Sequence, residues 1–190
     1  MSDTRNKAAA IQMATGLSVS ANLLEAERLV AEAVGHGAGL VVLPENFAFM
    51  GRKDRDLWAL RETSGAGPLQ EFLSQLARRY GIWLVGGPIP LEAYDNSKVR
   101  AACIVYDDRG RAVARYDKIH LFDVKLPDRE ESYQESWSMY PGDDRVTVDT
   151  PIGRIGLTIC YDLRFPVWSR NNYRDGRHEY DDAADHDLHL

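Results

Sequence analysis

An α/β domain of layered sheet and helix is what this sequence predicts, and three observations carry it. Short apolar runs alternate with helix-patterned segments from Ala8 to Val85, the order expected when helices cover a sheet. Leu69, Phe72, Leu73, Leu76, Ala77 and Tyr80 repeat at helical spacing without a fault. From Val99 onward the pattern changes to paired strand-like runs joined by turn residues.

Ala8 to Met13 is the first strand candidate. Ser20 is read as the cap of a helix whose Leu23, Ala26, Val30, Ala33 and Val34 share one face, and Gly35-His-Gly37 stops it. Leu40 to Leu43 is a continuous apolar run, typical of a strand covered on both faces; Pro44 ends it, leaving Glu45 at its carboxyl end. Gly65-Ala-Gly-Pro68 opens the second helix, with proline where its missing N–H costs nothing, and Gly81 closes it. Ile82 to Val85 is the next strand.

Val99 to Tyr106 and Arg111 to Tyr116 form a hairpin through Asp107-Asp-Arg-Gly110. Asp123 to Asp144 is polar and broken by proline and glycine, so it reads as a long surface loop able to act as a lid. Arg145 to Val148 and Arg154 to Ile159 form a second hairpin through Thr150-Pro-Ile-Gly153. Its apolar end runs into Cys160, followed at once by polar and helix-starting residues. That reads as a strand delivering a thiol to the rim of a sheet.

The composition is that of an ordinary globular chain, 44% apolar and 27% charged over 190 residues, enough for one sizeable core. A formal charge of -6 without a basic stripe argues against nucleic acid or an acidic membrane as partner. No apolar run approaches membrane-spanning length, and Met1 to Lys7 is polar, so the cytoplasm is the expected location. Cys103 and Cys160 lie far apart and give no metal-type spacing. Cys103, mid-strand among apolar residues, reads as core. His120 reads as structural, and His178, His186 and His189 as scattered residues rather than a metal site.

Three stretches carry chemistry: Leu43-Pro-Glu45-Asn-Phe47, Tyr116-Asp-Lys118-Ile-His-Leu-Phe122 and Cys160-Tyr-Asp-Leu-Arg-Phe-Pro166. A thiol attacks a carbonyl well only if a base takes its proton and a cation or N–H meets the developing oxyanion. Singly, each residue has a plain reading: Cys160 as a small buried hydrophobe, Glu45 as a turn cap, Lys118 as a solvated hairpin charge. Jointly they offer a base, a cation and a nucleophile.

In order and separation the three stretches resemble the signature blocks of the nitrilase superfamily of carbon–nitrogen hydrolases, over roughly residues 7–180. Residues 7–160 resemble the amidase branch that includes the deaminated glutathione amidases, and Cys160 to Asp181 resembles the ω-amidases. The resemblance implies a four-layer α-β-β-α sandwich. It further implies Glu45 as base, Lys118 as oxyanion stabiliser and Cys160 as nucleophile, with Glu135 as a second glutamate near the substrate. Tyr161 joins Glu135 in the substrate-binding set, and Arg164 is set against a substrate carboxylate. A Lys118 ammonium beside the Glu45 carboxylate implies coupled titration. The implied reaction is hydrolysis of a small carboxylated amide through a cysteine thioester, with no metal or organic cofactor, by a homo-oligomer.

Relatives of that type continue with further strands and helices after the nucleophile. Residues 1–180 are therefore read as one hydrolase domain incomplete at its C-terminus, and 181–190, without apolar periodicity, as an aberrant disordered tail. An uncovered sheet would lower stability and activity. A second reading follows, a non-catalytic fragment that serves as an interaction or regulatory chain. A third, a thiol redox protein using Cys160, lacks a resolving cysteine nearby.

Overall fold

Residues 7–125 and 132–165 are described by a computed structural model. The expectations for residues 166–190, including those for the 181–190 tail and for His178, His186 and His189, lie outside the described residues.

The main sheet has five strands in the order of the chain: β1 (Lys7–Ala10), β2 (Ala38–Val42), β3 (Trp83–Glu92), β4 (Val99–Tyr106) and β5 (Ala112–Asp117). β1, β2 and β3 are parallel, and β3, β4 and β5 antiparallel. Parallel neighbours need a crossover, which α1 (Val19–Gly35) and α2 (Pro68–Tyr80) supply. Ala26 and Val30 of α1 and Leu69, Leu73, Leu76 and Ala77 of α2 bury against Val41, Leu84 and Ile104 of the sheet. Each of the larger aliphatic side chains contributes about 1.5–3 kcal/mol by leaving water.

The opposite face of the sheet carries a second core. Leu40, Val85, Cys103, Val105 and Tyr116 meet Leu157 and Ile159, with Val146, Val148 and Ile155 packed against them. Two small hairpins follow the main sheet in sequence: β6 (Asp123–Lys125) with β7 (Ser132–Gln134), and β8 (Thr147–Thr150) with β9 (Gly153–Gly156). The β8–β9 hairpin is the third layer of an α-β-β stack. The fold class is the expected α/β one, and a second helical layer does not occur among the described residues.

Four details differ from the sequence reading. Helix α1 starts after Ser18, whose hydroxyl accepts from Ala21 N, not after Ser20. The buried Asn22 fixes that start by bonding Gly16 N, Gly16 O and Ala48 O. Strand β3 runs on past Gly86-Gly87-Pro88, its register shifting between Gly86 and Ile89, and that irregularity accommodates the missing proline N–H. Part of the expected loop from Asp123 to Asp144 is the β6–β7 hairpin followed by a 3-10 turn at Glu135–Trp137. The strand leading to Cys160 stops at Gly156; beyond it, Leu157 N bonds Val146 O and the chain runs on to a 3-10 turn at Cys160–Arg164.

Candidate active site

Sheet direction explains why distant residues meet. β2 and β3 run the same way, β4 runs back, and β5 returns, so β2 and β5 end on the same rim. Glu45 follows the end of β2, where Leu43 N still bonds Val85 O. Asn46 then adopts φ 58, a left-handed conformation that asparagine tolerates, and Phe47 anchors the turn with no exposed surface. At position 87 only glycine fits, because a Cβ there would lie 2.0 Å from Pro44 O.

Lys118 follows β5 and keeps its pairing, with its N–H on Ala101 O and its carbonyl accepting from Gly142 N. Side chains alternate along a strand, so Lys118 shares a face with Tyr116, the face covered by Leu157 and Ile159. It is 2% exposed. Its Nζ lies 3.2 Å from Glu45 Oε1 and 2.8 Å from Glu135 Oε1. Glu135 Oε2 also accepts the Phe122 N–H at 2.6 Å, which fixes the carboxylate from behind.

Cys160 sits at φ 48 on the first residue of its 3-10 turn, and its residue surface is exposed. A non-glycine residue in that region stores about 1–3 kcal/mol of strain. Burial pushes its thiol above the ordinary value of 9.0, and the charge of Glu45 and a hydrogen bond to that carboxylate push the same way. Lys118 opposes them, and Glu135 adds a smaller upward push. Burial pulls the Lys118 ammonium down, but hydrogen bonding and charge from Glu135, then the charges of Glu45 and Cys160, raise it above 10.5. The site thus holds a neutral thiol on a carboxylate, beside an ammonium that stays charged. Such an arrangement can hand a proton from sulfur to oxygen while a fixed cation waits for negative charge.

The structure brings together Glu45, Lys118, Glu135 and Cys160. Tyr161 stands beside them, edge-on to Phe122 at 5.1 Å and to Phe165 at 5.6 Å. Arg164 is exposed on the far end of the turn and makes no ion pair among the described residues. Cys103 is core, with burial pushing its thiol up to about 12. Among the described residues no group of three or more acidic, histidine or cysteine side chains could hold a metal, and no helix is long and apolar enough to cross a membrane.

Sequence reasoning missed Asp162. It has no exposed surface, and its carboxylate accepts from Tyr116 O–H at 2.7 Å, His120 N at 2.9 Å, His120 Nδ1 at 2.8 Å and Ile159 N at 2.9 Å. The available signal was an aspartate two residues after a cysteine in a helix-starting stretch.

Comparison with known proteins points to one family for the chain. The chain is 36% identical to the deaminated glutathione amidase of Yersinia enterocolitica over 159 residues, covering 83% of this chain and 55% of that protein. It is 39% identical to the human omega-amidase NIT2 over 163 residues, covering 85% and 57%. The chain therefore spans little more than half the length of these relatives. Among solved structures, the C. elegans NitFhit protein superposes with a TM-score of 0.72 at 30% identity, covering 86% of this chain and 40% of that one. Saccharomyces cerevisiae Nit3, a member of branch 10 of the nitrilase superfamily, gives 0.72 at 29% identity, covering 85% and 57%. The Carbon-nitrogen hydrolase family profile matches residues 7–178, and the chain belongs to that family.

Proposed function

We propose that this site hydrolyses the C–N bond of a small amide that carries a carboxylate, through a thioester on Cys160. One observation carries the reading: an exposed thiol on a left-handed turn faces a carboxylate that is itself paired with a buried ammonium. Relatives named as a deaminated glutathione amidase and an omega-amidase support the substrate class.

Glu45 takes the proton from the thiol as sulfur attacks the amide carbonyl. The oxygen of the tetrahedral intermediate draws on Lys118 and on the Tyr161 backbone N–H, which makes no hydrogen bond among the described residues. Glu45 returns the proton to the leaving nitrogen, the C–N bond breaks and ammonia departs. Water, its proton taken by Glu45, then attacks the thioester; the acid leaves and the thiol recovers its proton. Amide and water become acid and ammonia, so the balance needs no redox partner. Glu135 holds Lys118 in place, Tyr161 forms part of the acyl-site wall, and Arg164 meets the substrate carboxylate at the open end.

The test is ammonia release from a panel of ω-amides by the purified chain and by Cys160→Ala. Release by the first and not the second supports the reading. Equal release by both overturns it, and no release by either favours the second reading, a chain that serves through its surface alone.

A further inference from the structure

We infer that Asp162 is a positioning residue for Cys160, fastening the turn that presents the thiol to the strand end that carries Lys118; the inference rests on the amide-hydrolase reading above. The distribution of its four hydrogen bonds is the argument. Oδ1 accepts both the backbone N–H and Nδ1 of His120, and Oδ2 accepts Tyr116 O–H and Ile159 N–H. Tyr116 and His120 flank Lys118 two residues to either side, and Ile159 directly precedes Cys160. One carboxylate therefore bridges the segment bearing the ammonium and the segment bearing the sulfur.

A carboxylate with no exposed surface is costly unless its oxygens are satisfied. Here they are satisfied only when the turn and the strand end sit in one register. An apolar side chain could fill the same space, but it would not fix the distance between two segments. A carboxylate only accepts hydrogen bonds, so His120 Nδ1 carries the hydrogen. Its ring is held flat against Phe165, with centroids 3.7 Å apart. The register in turn sets how close the Cys160 sulfur stands to the groups that face it, Glu45, Lys118 and Glu135.

Tyr116→Phe and Asp162→Asn in the full chain test this. Urea unfolding first establishes that each variant folds. Two readouts follow: kcat and KM on the best ω-amide, and the pH midpoint of Cys160 alkylation by iodoacetamide, followed by peptide mapping to separate it from Cys103. Tyr116→Phe alters no charge at neutral pH, so a moved midpoint reports geometry. Displacement of the thiol from Glu45 should bring the midpoint down towards an ordinary thiol. A misplacement on the order of 1 Å costs about 100-fold in rate, the expectation for Asp162→Asn. Tyr116→Phe, losing one bond of four, should lose about 10-fold, with KM within about threefold of wild type in both. An unchanged midpoint and unchanged kcat in a folded Tyr116→Phe chain overturn the inference. Should Asp162→Asn fail to fold, Tyr116→Phe decides alone. Absence of hydrolysis by the wild-type chain sinks the amide-hydrolase reading, while the alkylation midpoint still decides the role of Asp162.

Discussion

Glu45 and Glu135 share one buried ammonium: Lys118 Nζ lies 3.2 Å from the first carboxylate and 2.8 Å from the second. Lys118→Met leaves two carboxylates facing each other without their cation. Removing one partner of a buried pair costs about 3–5 kcal/mol, and urea unfolding should show a loss of that order. Adding Glu135→Gln should recover part of it, because the second substitution removes the repulsion the first created. Two losses that simply add would mean that the three groups are not coupled.

The Glu45 carboxylate holds the Cys160 thiol above its ordinary value, after burial, by charge and by hydrogen bonding. Glu45→Gln should therefore make the thiol more acidic and speed its alkylation at neutral pH. The same variant should lose about 10²–10⁴-fold in hydrolysis, since no base remains. A thiol that reacts faster in an enzyme that works worse separates proton removal from simple nucleophile exposure. Slower alkylation in Glu45→Gln would contradict the assigned geometry.

Alkaline pH should weaken the fold through the same site. Lys118 titrates above 10.5 in the folded chain, and Cys160 above 9.0. A group whose value is raised on folding contributes stability that is complete below its unfolded value and lost as pH rises through the folded one. Burial raises Cys103, Tyr106 and Tyr116 as well, so they add to the same slope. The stability difference between wild type and Lys118→Met reads the lysine together with the charges that face it. Measured by urea unfolding from neutral pH upward, that difference should shrink as pH rises past 10.5.

Gly87 underlies Glu45. A Cβ at that position would stand 2.0 Å from Pro44 O and 3.0 Å from Leu43 O. Gly87→Ala must push the Leu43-Pro-Glu45 backbone away from β3, and overpacking of this kind costs about 1–3 kcal/mol. Hydrolysis should fall further than stability does, because Glu45 moves off the thiol. An alanine variant with wild-type urea midpoint and activity would show that the turn is free to shift.

Much of this was legible in the chain because strand ends are marked by what stops them. Pro44 closes the run before Glu45, and the Asp107–Gly110 turn sets where β5 returns and therefore where Lys118 emerges. Helix α2 was legible for a similar reason, with Pro68 at its start and Gly81 left-handed at its end. Asp162 was not, because Tyr116 and His120 lie 46 and 42 residues away and only the folded sheet brings them to it. The β6–β7 hairpin escaped because its strands have three residues each and bury almost nothing, so no alternation marks them. The extent of β3 was hidden by Pro88 and Pro90, which normally argue against a strand. Glu135 was recognised as a second glutamate, but its attachment to Lys118 rather than to open solvent is a matter of tertiary contact.

The most direct measurement is the intact mass of the chain, quenched early during turnover of a small ω-amide and then mapped by peptide. The expected result is an adduct equal to the substrate less ammonia, confined to Cys160, which disappears as free acid accumulates. Acid produced with no adduct at any time, and at the same rate by Cys160→Ala, would contradict the account.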